Sequence, residues 1–78
     1  MAGKSIQNNI RRLRFEADEM TQQQLADAAS VSRQTIVAIE KGNYSPSLEL
    51  AFRLAFIFQT PLEEVFLYDP EQDKAKKG

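Results

Sequence analysis

Arg33 and Gln34 stand side by side at the head of an apolar-periodic run, and they are the two side-chain types best able to read base edges with paired hydrogen bonds. A guanidinium can donate twice to guanine O6 and N7, and a carboxamide can pair bidentately with adenine. The same dipeptide is ordinary on a solvated helix, so its meaning depends on what presents it. Other chemistry is thinly supplied. With no His and no Cys in 78 residues, there is no imidazole or thiolate metal site, no disulfide, no Cys nucleophile and no His general base. Glu63 and Glu64 are adjacent carboxylates, but on a helix they diverge by about 100°. No enzyme activity, metal or cofactor is expected.

The elements that must position Arg33 and Gln34 follow from local signals. Ser32 is a good N-cap for a helix running to about Lys41, with Ile36 and Ile39 on its buried side. Upstream, Thr21 and Gln24 form a capping-box pattern that starts another helix, whose small apolar face is Leu25, Ala26 and Ala28. Ala29, Ser30 and Val31 leave room only for a tight corner between the two. Two short helices joined in this way, with an Ala at their closest approach, are the geometry of a helix-turn-helix.

Ile6, Ile10, Leu13 and Ala17 share a stripe that predicts a first helix from about Ser5 to Ala17. Gly42 ends the third helix, Asn43 to Pro46 form a loop, and Ser47 caps a fourth helix over Leu48 to Phe58. That segment is apolar except at Glu49 and Arg53, so one face cannot hold all its hydrophobic side chains. Thr60, Pro61 and Glu63 read as N-cap, N1 proline and N3 acid of a short fifth helix carrying Leu62, Val65 and Phe66. No strand-like alternation is present, and the tail from Asp69 reads as frayed. The expectation is one all-α domain of five helices over about residues 5–68, with a charged tail over 69–78.

The formal net charge of -1 conceals an uneven distribution. Lys4, Arg11, Arg12 and Arg14 have no acid among them, whereas Glu63, Glu64, Asp69, Glu71 and Asp73 have no base. One end can face phosphates while the other faces water or a partner. No signal peptide or membrane span is apparent, so the cytoplasm is the default compartment and no membrane partner is expected. The short tail leaves no room for a ligand pocket, and no small-molecule ligand is expected.

The run from Thr21 to Leu50, with Val-Ser-Arg-Gln-Thr-Ile, Glu-Lys-Gly-Asn and Pro-Ser-Leu-Glu-Leu at characteristic spacings, resembles the phage repressor and Cro family of helix-turn-helix regulators in its compact single-domain form. The resemblance covers about Ile6 to Phe66. It implies five helices whose second and third read double-stranded DNA, often as a homodimer on a palindromic operator. By position, Ser32, Arg33, Gln34, Val37 and Ala38 match the base-facing set. Thr21 and Gln22 match phosphate contacts, Gln22 also supporting the first readers, and Gly42, Asn43 and Tyr44 match a phosphate-contacting loop. Arg14 and Glu40 match a pair that ties the first helix to the end of the third.

Three departures stand out. Ser30 replaces the usual corner Gly. The stretch Phe15 to Met20 is one residue longer than usual and lacks Gly, and Phe56 stands where relatives place Lys. Val37 and Ala38 fit either a partly buried core or contact with a thymine methyl. Lys4, Arg11 and Arg12 read as a solvated basic face that adds diffuse attraction. Phe56, Phe66, Leu67 and Tyr68 fit a core or, given the aromatic excess, a dimer interface. The expected function is a sequence-specific DNA-binding transcriptional regulator, in the first instance a repressor. The alternative is an antitoxin-like module whose main partner is another protein, against which the short charged tail argues.

Overall fold

Where the sequence predicts helix from Ser5 onward, Ile6–Asn8 form a strand instead, and Ser5 itself lies outside the described residues. In the computed structural model, which describes residues 6–73, β1 (Ile6–Asn8) precedes α1 (Ile10–Glu16). It pairs antiparallel with β2 (Phe66–Tyr68), Ile6 opposite Tyr68, Gln7 opposite Leu67 and Asn8 opposite Phe66. Ile6 thereby leaves the helical stripe and is 41% exposed. The two asparagines explain the change, because their side chains compete with helical backbone bonding. Asn8 Oδ1 accepts from the Ile10 N–H at 3.2 Å, and Asn8 Nδ2 donates to the Ile39 carbonyl at 2.9 Å. The Asn9 N–H donates to the Val65 carbonyl and Asn9 Nδ2 to the Glu64 carbonyl, both at 2.9 Å. These bonds fasten the start of α1 to the end of α3 and to α5.

After α1 come α2 (Gln22–Ala29), α3 (Arg33–Glu40), α4 (Leu48–Ile57) and α5 (Leu62–Val65). The architecture is therefore the expected five-helix, all-α one, with a two-stranded sheet added. The longer α1–α2 connection is absorbed at Asp18 and Glu19, whose φ values of 62° and 56° are left-handed. Arg14 secures that loop: its carbonyl accepts from the Met20 N–H at 2.8 Å, and its Nη1 donates to the Met20 carbonyl at 2.9 Å.

The capping box of α2 forms as read, the Gln24 N–H donating to Thr21 Oγ1 at 2.9 Å and the Thr21 N–H to Gln24 Oε1 at 2.8 Å. Its buried face is Leu25, Ala26 and Ala29. Ala28, expected inside, is exposed, because it lies roughly 100° around the helix from Ala29. Ser30 adopts φ 61° and ψ 41°, and the corner closes with the Val31 N–H on the Ala26 carbonyl at 3.0 Å. A left-handed residue with a Cβ costs about 1–2 kcal/mol, of which the freer unfolded chain of a glycine offsets about 0.4–1 kcal/mol. Ser30→Gly is accordingly expected to raise stability by roughly 0.5–1 kcal/mol, read as a melting temperature a few degrees higher. An unchanged or lower value would mean that the serine side chain stabilises the corner.

Gly42, at φ 79°, terminates α3 with its own N–H on the Ile39 carbonyl and the Asn43 N–H on the Ala38 carbonyl, both at 2.9 Å. Ser47 caps α4 through the Leu50 N–H. The α5 terminus departs from expectation: Pro61 occupies the cap position, and Thr60 Oγ1 donates backward to the Phe58 carbonyl at 2.9 Å. Pairing with β1 draws Phe66 out of α5 into β2, so the helix lasts one turn. The tail is ordered further than expected. Pro70–Gln72 form a 3-10 turn, capped by Asp69 accepting from the Glu71 N–H. Residues 74–78 lie outside the described residues.

The core joins all five helices through Ile10, Leu13, Leu25, Ala26, Ile36, Ile39, Leu54 and Val65. On α4, Leu50, Ala51, Leu54 and Ala55 face inward, which leaves Leu48, Phe52 and Phe56 exposed along one row.

Candidate nucleic-acid interface

α3 can lie across α2 because Ala26 is fully buried and offers only a methyl at the crossing, with Ile36 and Ile39 filling the angle behind it. The opposite face of α3 is thereby turned outward. Arg33 and Gln34 are exposed, and among the described residues neither side chain makes a hydrogen bond or ion pair. Val37 and Ala38 are half-buried. Ser32 is exposed, but its hydroxyl is occupied by the cap: it accepts from the Thr35 N–H at 3.1 Å and bonds Thr35 Oγ1 at 2.9 Å.

Beside this face lies an open cleft of about 840 Å³. α1 contributes Arg11 and Arg14, the start of α2 contributes Thr21, Gln22 and Gln23, and α3 contributes Arg33, Val37, Glu40 and, just past its end, Lys41. Arg14 grips Glu40 bidentately, Nε to Oε2 at 2.6 Å and Nη2 to Oε1 at 3.2 Å, with side chains 15% and 10% exposed. Gln22 Nε2 also donates to Glu40 Oε1, at 3.2 Å. One carboxylate thus joins α1, α2 and α3, and it holds the Gln22 carboxamide beside the C-terminal end of α3.

In the loop after α3, the Gly42 and Asn43 N–H groups are consumed in ending the helix. The exposed side chains of Asn43, Tyr44 and Ser45 remain open to a ligand there. Lys4 lies outside the described residues.

The residues read as a possible dimer surface fall in two places. Phe66 lines an apolar groove of about 510 Å³ with Ile6, Pro46, Leu48, Ala51 and Leu62, whereas Phe56, 74% exposed, stands on the outer face of α4. Leu67 and Tyr68 are exposed on β2. The Tyr68 hydroxyl donates to Asp73 Oδ2 at 2.6 Å, and that bond, helped by the Asp73 charge, pushes its pKa up to about 12. Ile6, Leu48 and Phe52 join this exposed apolar surface beyond the four residues expected there, and the spacing of Leu48, Phe52 and Phe56 marks one helix row. Gln23 and Lys41 also line the cleft, although neither is among the site residues expected from the sequence. Among the described residues no group of three or more acidic side chains is placed to hold a metal ion, and no helix is long and apolar enough to cross a membrane.

A corner-joined helix pair with one exposed, largely polar face is the geometry of a helix-turn-helix, and the family comparison agrees: the family described as Helix-turn-helix matches residues 10–65. The chain belongs to the helix-turn-helix transcriptional regulators of the phage repressor and Cro type. The matched span runs from the first residue of α1 to the last of α5, leaving both strands outside it. An uncharacterized HTH-type transcriptional regulator of Methanocaldococcus jannaschii is 51% identical over 53 residues, 68% of this chain and 80% of that protein. The uncharacterized HTH-type regulator YgzD of Bacillus subtilis is 38% identical over 66 residues, covering 85% and 98% of the two chains. The cryptic phage CTXphi transcriptional repressor RstR of Vibrio cholerae is 38% identical over 58 residues, covering 74% of this chain and 51% of the repressor.

Proposed function

We propose that this chain is a sequence-specific repressor of transcription that acts in the cytoplasm as a homodimer on double-stranded DNA, reading bases through α3. The observation that carries the reading is the pair of exposed, unengaged side chains Arg33 and Gln34 at the N-terminal end of α3, beside a cleft rich in cations. Ser32, Val37 and Ala38 complete the base-facing set, Ser32 by holding the first turn. Thr21, Gln22, Asn43 and Tyr44 meet phosphates, and Gly42 shapes the loop that presents the last two. The repressor role is supported by the kinship with RstR.

One reading helix spans about four or five base pairs, which is too few for specific binding, whereas two related by a two-fold axis read half-sites about 34 Å apart. Phe66, Leu67 and Tyr68 supply the interface, with Phe56 at its margin on α4. Selection of bound fragments from a random duplex pool tests the reading. The expected product is a palindrome with half-site centres about one helical turn apart, and Phe66→Glu is expected to abolish dimers in sedimentation at micromolar concentration. A pool without enrichment, or enriched sites bound by one chain as tightly as by two, would overturn it.

A further inference from the structure

The cleft between α1 and α3 holds more positive charge than the fold uses. Its one lining carboxylate, Glu40, has both oxygens committed to Arg14 and one of them also to Gln22. Arg11, Arg33 and Lys41 line the same cleft, and among the described residues none of the three makes an ion pair. Cations gathered in one concavity without counter-ions repel each other and focus a field that favours an anion. Arg33 is accounted for by base reading. Arg11 and Lys41 have no assigned role.

Arg11 is also misplaced for the helix that carries it. It is the second residue of α1, whose first turn holds no acid, and a cation near a helix N-terminus opposes the macrodipole. Lys41, beyond the last residue of α3, suits the dipole there, so the dipole explains Lys41 in part and Arg11 not at all. The adjacent Arg12 is equally exposed, but it projects about 100° away and does not line the cleft. The tertiary structure therefore separates two arginines that the sequence presents as one basic face.

We propose that Arg11 and Lys41, both lining this cleft, each neutralise a backbone phosphate of the DNA strand that enters it. This inference rests on the DNA-binding reading above and extends its phosphate contacts from the start of α2 to α1 and the end of α3. Two such contacts fix how α3 is seated in the major groove and carry no sequence information themselves. Arg12 contributes only diffuse attraction.

The test uses the full chain, its selected duplex and an unrelated duplex of equal length, with binding followed by fluorescence anisotropy across a salt series. The logarithm of the binding constant falls with the logarithm of salt by about 0.9 per phosphate neutralised. Arg11→Gln and Lys41→Gln are each expected to reduce that slope by about one, and the double variant by about two, on both duplexes alike. Arg12→Gln is expected to leave it unchanged, and thermal melts of all four variants verify that each is folded. Parental slopes for Arg11→Gln and Lys41→Gln, or an equal loss for Arg12→Gln, would overturn the assignment while leaving DNA binding intact. A parent that binds neither duplex would overturn both readings.

Discussion

Glu40→Ala is expected to destabilise the domain by about 2–3 kcal/mol, between the small cost of breaking an exposed ion pair and the larger one of breaking a fully buried pair, because this pair is part-buried. The carboxylate accepts from Arg14 Nε at 2.6 Å, from Arg14 Nη2 at 3.2 Å and from Gln22 Nε2 at 3.2 Å, with its side chain only 10% exposed. Its removal strands a guanidinium that is 15% exposed and still held to the Met20 carbonyl, so the charge cannot swing freely into water. The loss also loosens the α1–α2 loop, where Asp18 and Glu19 are left-handed without being glycine. In a domain of this size each kcal/mol shifts the melting temperature by about 4–8 °C, so a fall of roughly 10–20 °C is expected. Arg14→Leu together with Glu40→Leu is expected to recover much of it, because two apolar residues leave no uncompensated charge. Thermal melts of Glu40→Ala, Arg14→Leu and the double variant decide the matter. Equal melting temperatures throughout would show that the pair contributes nothing to stability.

Arg33→Ala is expected to cost about 1–3 kcal/mol at the guanine it reads, or about fivefold to 150-fold in affinity for the selected site, and to relax the preference at that base pair. Because Arg33 is exposed and unengaged among the described residues, the variant is expected to melt like the parent. Arg33→Lys sharpens the test. It keeps the charge and the salt dependence but loses the planar fork, so the preference is expected to relax while non-specific binding holds. Asn43→Ala is expected instead to weaken all sequences alike, as a phosphate contact does. If Arg33→Ala binds the selected duplex as tightly as the parent at fixed salt, the reading residues lie elsewhere.

Several features were decided by residue types at fixed short offsets. The Thr21 and Gln24 box, the Ser32 and Ser47 caps and the Gly42 stop each join groups no more than about five residues apart. The partners of each such bond lie within one or two helical turns of each other in the sequence, and the helix-turn-helix they delimit was legible for the same reason. Other features depended on which elements meet. Ile6 and Ile10 fit a helical stripe by spacing, yet Ile6 pairs with Tyr68 because Asn8 and Asn9 bind carbonyls of Ile39, Glu64 and Val65 far along the chain. Thr60 looked like a cap, but the turn from α4 into α5 points its hydroxyl back at Phe58. The apolar surplus of α4 was plain in the sequence, whereas the choice of Ala51 and Ala55 for the core and of Phe52 and Phe56 for the surface follows from how closely its neighbours approach. The division between Arg11 in the cleft and Arg12 outside it is of the same kind. A helix fixes the angle between adjacent side chains, and only the packing of that helix against others determines which of the two directions meets a concavity.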